Sequence, residues 1–92
     1  MTKIVIKKLI WDEYNIEHIK KHEVAQAEVE EVAKNIVGHK QSKLGRYLII
    51  GRTGPRIISV AVSRKAIGIY YPVTARDASK KERKIVYEKE KI

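Results

Sequence analysis

Tyr47-Leu-Ile-Ile50, Ile57-Ile-Ser-Val-Ala-Val62 and Ala66-Ile-Gly-Ile-Tyr-Tyr-Pro-Val-Thr-Ala75 are three runs rich in β-branched and aromatic residues. Thr53-Gly54-Pro55 and Ser63-Arg64-Lys65 separate them at hairpin spacing. Consecutive short connections predict an antiparallel meander. Pro72 cannot donate to a ladder, so its strand is an edge there or is broken by a bulge. Upstream of the runs, Val29, Val32, Ala33 and Ile36 recur at helical spacing, which predicts a helix over about Gln26 to Asn35 ended by Gly38. A polar loop, His39 to Lys43, follows it. Earlier still, Asp12 is placed to cap a helix whose apolar stripe (Tyr14, Ile16, Ile19) runs to about His22. Lys3 to Ile10 alternates as a short first strand. Downstream, Ser79-Lys-Lys-Glu82 is a capping box that opens a helix to about Lys89, with Ala78, Ile85 and Val86 toward the sheet.

The order strand, helix, helix, three strands, helix predicts an α+β fold in one small domain over residues 1–92. An antiparallel sheet of about four strands carries two N-terminal helices and one C-terminal helix, gathered on one face. The other face, or its rim, is left to the arginines. A chain this short buries roughly 60–65% of its unfolded surface, so the core is thin. Hydrophobic content of 43% is nevertheless too high for a disordered basic tail. There is no Cys, which excludes a disulfide framework and thiolate chemistry. No apolar run suits a signal peptide or a membrane span, so a cytoplasmic protein without membrane association is expected.

Charge is segregated along the chain. Residues 32–76 hold nine Lys or Arg (Lys34, Lys40, Lys43, Arg46, Arg52, Arg56, Arg64, Lys65, Arg76) and no Asp or Glu, within a net charge of +9. A positive field without local neutralisation points to phosphate backbones as partners; a solvated face kept positive for solubility is the plainer alternative. Lys43, Arg46 and Lys65 are therefore expected nucleic-acid contacts. Tyr70 and Tyr71 adjoin on a strand, so one points to each face, and an outward ring can stack on a base; Tyr70 is the ring expected to take the base.

Two constellations suit chemistry. Asn15, His18 and His22 lie along one helical stripe. They suit proton transfer or contact to an anion, or they fix the helix to its neighbour. As a metal site the stripe lacks the Glu of a His-Glu-x-x-His helix, and His39 is the one obvious third ligand, so no metal or other cofactor is expected. Arg76, Arg83 and Tyr87 gather where the last strand becomes a helix, and Arg83 and Tyr87 share a helical face at i, i+4. They suit a phosphodiester clamp, because Arg binds phosphate oxygens bidentately and keeps its proton. An Arg76–Glu82 staple between sheet and helix is the structural alternative. Arg52 shares a strand side with Ile50, whereas Arg56 falls in a turn as a surface charge.

Trp11-Asp12-x-x-Asn15-x-x-His18-x-x-x-His22-x-Val24, with Glu28-x-Glu30-Glu31 after it, resembles the amino-terminal signature of BrnT-type toxins. Ala75-Arg76-Asp77-Ala78-Ser79-x-x-Glu82-Arg83-x-x-x-Tyr87 resembles their carboxyl-terminal signature, and Gly51-Arg52 and Arg64 fit between the two. The resemblance implies a RelE-like fold and the toxin half of a type II toxin–antitoxin pair. It implies a metal-independent endoribonuclease, silenced by an antitoxin protein. His22, Arg52, Arg64, Arg76, Arg83 and Tyr87 then fall at or near the basic cleft. Relatives often carry Gly after the Lys-His pair, where this chain has Glu23 and loses the easy left-handed turn. The expected reaction is 2′-OH attack on the adjacent phosphate, with His18 or His22 as base, the four arginines on the phosphorane and Tyr87 or a histidine as acid. The alternative is a non-catalytic nucleic-acid-binding module, or a toxin relic acting through its partner.

Overall fold

The computed structural model describes residues 4–42 and 44–91. Lys43 and the start of the expected first strand at Lys3 lie outside the described residues. The elements run β1 (Lys8–Leu9), α1 (Glu13–Lys20), α2 (Gln26–Lys34), β2 (Ile36–Gln41), β3 (Arg46–Thr53), β4 (Arg56–Ala66), β5 (Ile69–Asp77) and α3 (Lys80–Glu90). They build a mixed sheet in the order β1-β5-β4-β3-β2. β1 pairs with β5 in parallel, and the other neighbours pair antiparallel.

Local chemistry sets the helix ends. The Asp12 carboxylate accepts from Asn15 N–H, and the Asn15 amide oxygen accepts from Asp12 N–H, each at 2.9 Å. This reciprocal cap satisfies two orphan donors of α1. At the other end Val24 N–H reaches Ile19 C=O at 3.1 Å and Glu23 N–H reaches Lys20 C=O at 2.9 Å. That is a Schellman closure, with Val24 and Ile19 buried in the same core. It requires a left-handed residue, and Glu23 occupies it at φ 59°. α3 opens as expected: Ser79 Oγ accepts from Glu82 N–H, and Glu82 Oε1 accepts from Ser79 N–H.

Three expectations are corrected. α2 stops at Lys34, and residues 36–41, read as helix end and polar loop, form the edge strand β2. Gly38 is there for space: a Cβ would stand 2.9 Å from Ile85 Cγ2 of α3. Ser63-Arg64-Lys65 is not a turn. β4 continues through it, pairing Ser63 with Tyr71 and Arg64 with Tyr70, and the chain reverses at Ile67–Gly68. The helices also do not gather on one face. Val29, Val32, Ile49, Val60 and Ala75 belong to a core under α1 and α2. Ile50, Ile57, Ala78 and Val86 form a second core under α3, on the other face. The bulge expected near Pro72 is present, between Ala61–Thr74 and Val62–Pro72, and leaves Val73 as the extra residue.

Candidate functional site

The two faces give the arginines different surroundings. α3 crosses β4, β3 and β2 at one end of its face, and carboxylates of helical segments reach the arginines there. Arg52 Nε and Nη2 donate to Glu90 Oε2 and Oε1 at 2.7 and 2.9 Å. Arg76 Nη1 and Nη2 donate to Glu82 Oε1 and Oε2 at 2.8 and 3.0 Å. Glu82 Oε1 also accepts from Ser59 Oγ at 2.7 Å and Ser79 N–H at 2.8 Å. The Arg76 guanidinium foremost, with these donors against the cost of burial, lowers the Glu82 pKa to about 2. Arg56, read as a surface charge in a turn, begins β4 and bridges Asp77 (2.8 Å) and Glu28 (2.9 and 3.0 Å). The acid-free block of sequence is therefore partly neutralised in space, by residues 21 to 38 positions away. No local pattern signals those partners. Arg76–Glu82, six residues apart, is the staple that the sequence does allow.

Arg83 and Tyr87 share a flank of α3. Tyr87 is half-exposed and lies within electrostatic reach of Arg52, whose pKa is raised chiefly by the Glu90 hydrogen bonds. Arg83 makes no ion pair among the described residues.

The opposite end of the sheet carries the other cations. Alternation along β3 puts Arg46 on the α3 face with Leu48 and Ile50, but beyond the helix. Its cross-strand partner is Ser63, and that of Ser63 is Tyr71. Lys65 Nζ stands 5.8 Å over the Tyr71 ring. Arg64 is opposite Tyr70, so it projects on the α1–α2 face of the same end. Arg46, Arg64 and Lys65 make no ion pair among the described residues. From Arg46 to Arg52 the strand rises six residues, about 20 Å at roughly 3.4 Å each.

Tyr70, expected to stack on RNA, is the inward ring: it is 6% exposed and meets Tyr47 edge-on at 6.0 Å. The outward member is Tyr71, whose hydroxyl donates to Asp12 at 3.0 Å. Burial and that carboxylate raise its pKa. Asn15 is fully buried and donates to Ile10 C=O (2.9 Å) and Pro72 C=O (3.1 Å), so it ties α1 to the sheet. His18 stacks on Tyr14 at 6.2 Å, and His22 lies 5.5 Å from His18. This ladder sits on the α1–α2 layer, across the sheet from Arg52, Arg76, Arg83 and Tyr87. The structure brings the α3 residues together and does not bring the histidines to them. Among the described residues no group of three or more His, Cys, Asp or Glu converges as a metal site, and no helix is long and apolar enough to cross a membrane.

Two helices on one face of a five-stranded mixed sheet and a third on the other define the chain as a small α+β domain with a BrnT-type toxin fold. The solved structure that it resembles in particular is the ribonuclease toxin BrnT of Brucella abortus, at a TM-score of 0.64 and 27% identity, over 78% of this chain and 96% of that one. No protein-family model matches the chain, and no curated protein matches it.

Proposed function

We propose that this protein is a metal-independent endoribonuclease of the toxin type. The likeness of nearly the whole Brucella abortus ribonuclease toxin to this fold carries the reading. In the proposed reaction an RNA 2′-oxygen bonds to the adjacent phosphorus and the bond to the 5′-oxygen breaks. The products are a 2′,3′-cyclic phosphate and a 5′-hydroxyl. A base takes the 2′-OH proton, and an acid returns one to the leaving oxygen. The α3 side suits this chemistry best. Arg83 is unpaired there among the described residues, and Arg52 and Arg76 hold carboxylates in the fork geometry that also fits a phosphate. Tyr87 supplies a hydroxyl on the same flank of α3 as Arg83, within electrostatic reach of Arg52. Preorganised guanidinium groups stabilise the charge of the phosphorane.

A second reading, a non-catalytic RNA-binding module or toxin relic, is favoured by two observations. Arg52, Arg56 and Arg76 are already satisfied internally, and His18 on α1 and His22 in the turn after it lie across the sheet. An antitoxin that covers the basic surface with an acidic segment fits either reading, as does a cytoplasmic location.

The test is cleavage of a labelled RNA in EDTA, with the 2′-OH removed at single positions. Cutting that stops at each 2′-deoxy position, and that Arg83→Lys and Tyr87→Phe abolish while binding persists, is the expected result. Binding without cutting would favour the relic. Loss in His22→Asn with Arg83→Lys still active would move the chemistry to the helical layer.

A further inference from the structure

Helix α3 covers only one half of its sheet face. The other half is open, floored by Leu48, Ala61, Ser63 and Thr74, which are all partly exposed. It runs from the α3 arginines to the end where the β2–β3 and β4–β5 hairpins turn. The β2–β3 turn lies against β4 there, because Arg64 N–H donates to Gly45 C=O at 3.2 Å. Each turn exposes an aliphatic side chain: Leu44 is 93% and Ile67 80% exposed. Leu44 moreover has a left-handed backbone, φ 61°, followed by Gly45 at φ 69°. Asn or Gly is the economical residue at such a position. Neither packing nor backbone preference accounts for leucine there. Beside these tips stand Arg46 and Lys65, on the open face and without a carboxylate partner among the described residues. Asp12, the carboxylate that reaches the Tyr71 ring under Lys65, is occupied by Tyr71 O–H and Asn15 N–H.

We propose that the open half-face is a track for single-stranded RNA, anchored at the hairpin end by Arg46 and Lys65, with Leu44 and Ile67 taking unstacked bases. The proposal rests on the ribonuclease reading for the identity of the ligand and adds a second contact region, about 20 Å from the α3 arginines along β3. Unpaired cations argue for a phosphate chain. Exposed aliphatic tips argue for a single strand, because a duplex keeps its bases stacked and offers mainly phosphate and sugar. The two regions divide the work. Cations at the hairpin end hold the strand without displacing anything, while Arg52 and Arg76 exchange a carboxylate for the phosphate to be cut.

The experiment uses the full chain and a fluorescent, uncleavable 2′-O-methyl oligonucleotide of about twelve nucleotides, within the usual span of a single-strand site. Anisotropy is read across a salt series for the wild type, Arg46→Gln/Lys65→Gln, Leu44→Ser and Lys34→Gln. Lys34 is an exposed cation of the same acid-free block, placed on α2. The double variant is expected to bind at least tenfold more weakly at low salt, with a salt slope shallower by about 1.4, or about 0.7 per cation. Leu44→Ser is expected to lose about threefold in affinity for the single strand and none for a duplex, and Lys34→Gln to bind as the wild type does. Equal weakening by Lys34→Gln would overturn the track in favour of a general field. So would equal affinity for a duplex, or displacement of the oligonucleotide by polyglutamate or phosphatidylserine vesicles with undiminished effect in the double variant. Cleavage is measured in parallel. The binding pattern without cleavage supports the track and removes the ribonuclease reading alone. Cleavage whose KM is unmoved in the double variant removes the track alone.

Discussion

Arg52, Arg56 and Arg76 at one end of the sheet, and Arg46, Arg64 and Lys65 at the other, come from the same acid-free stretch and meet opposite fates. The first three are each held by carboxylates that the fold brings from outside the stretch. The second three make no ion pair among the described residues. Charge segregation along a sequence thus describes a field only after the fold has chosen the neighbours. Guanidinium groups at the α3 end act first as fasteners between sheet and helix, whereas those at the hairpin end fasten nothing among the described residues. Loss of any of the first three is expected to cost stability, whereas loss of Arg46 or Lys65 is expected to cost binding alone.

The largest effect is expected at Glu82, which is 8% exposed and joins α3, β4 and β5 through Ser79, Ser59 and Arg76. Glu82→Ala removes the capping box and strands the buried Ser59 hydroxyl, and denaturant unfolding is expected to show a loss of about 3 kcal/mol. An unchanged midpoint would mean that the staple is dispensable. The same carboxylate sets an acid limb. Its pKa is depressed from 4.5 to about 2, so its contribution is full above pH 4.5 and falls away as the pH drops toward 2. The linkage is worth at most about 3 kcal/mol, reduced by the solvent around the half-exposed Arg76. Glu82→Gln is expected to flatten that limb in a stability–pH titration; an equally steep limb in the variant would assign it elsewhere.

Arg56 is smaller. Its bridge between Glu28 and Asp77 is partly solvated, and Arg56→Ala is expected to cost about 1 kcal/mol in thermal unfolding. Leu44 reverses the sign. Leu44→Asn relieves a left-handed leucine and is expected to raise stability by up to about 1 kcal/mol while weakening RNA binding. A stabilised variant that binds RNA undiminished would remove the reason for leucine there. Arg46→Gln is the smallest, with stability expected within about 0.5 kcal/mol of the wild type. A larger loss would place Arg46 among the fasteners and collapse the comparison.

The sequence made local chemistry legible. Asp12 and Ser79 cap where their side chains predict, Pro72 adjoins its bulge, and Arg52 shares a face with Ile50. The fold matched is the one that the two terminal signatures resemble. What stayed hidden depended on distant atoms. β2 contains only Ile36 and Val37 as strong strand formers, and Gly38 looks like a helix stop because Ile85, which demands it, is 47 residues away. The two-sided sheet does leave a trace in the sequence: Ile49-Ile50 and Ile57-Ile58 are adjacent and all buried, which a sheet with one solvated face does not require. Of the candidate site, the Arg83–Tyr87 face follows from helical spacing. Glu90 as the partner of Arg52, Tyr70 as the inward ring, and the separation of the histidines from the arginines each required the tertiary fold.

The most direct test is a backbone-amide NMR titration of the full protein with the uncleavable oligonucleotide. Shift changes are expected along the open face, at Arg46, Leu48, Ser63, Lys65 and Thr74, and on α3 around Arg83 and Tyr87, with α1 and α2 quiet. Changes confined to Tyr14, His18, His22 and the α2 surface would contradict this and put the nucleic acid on the other side of the sheet.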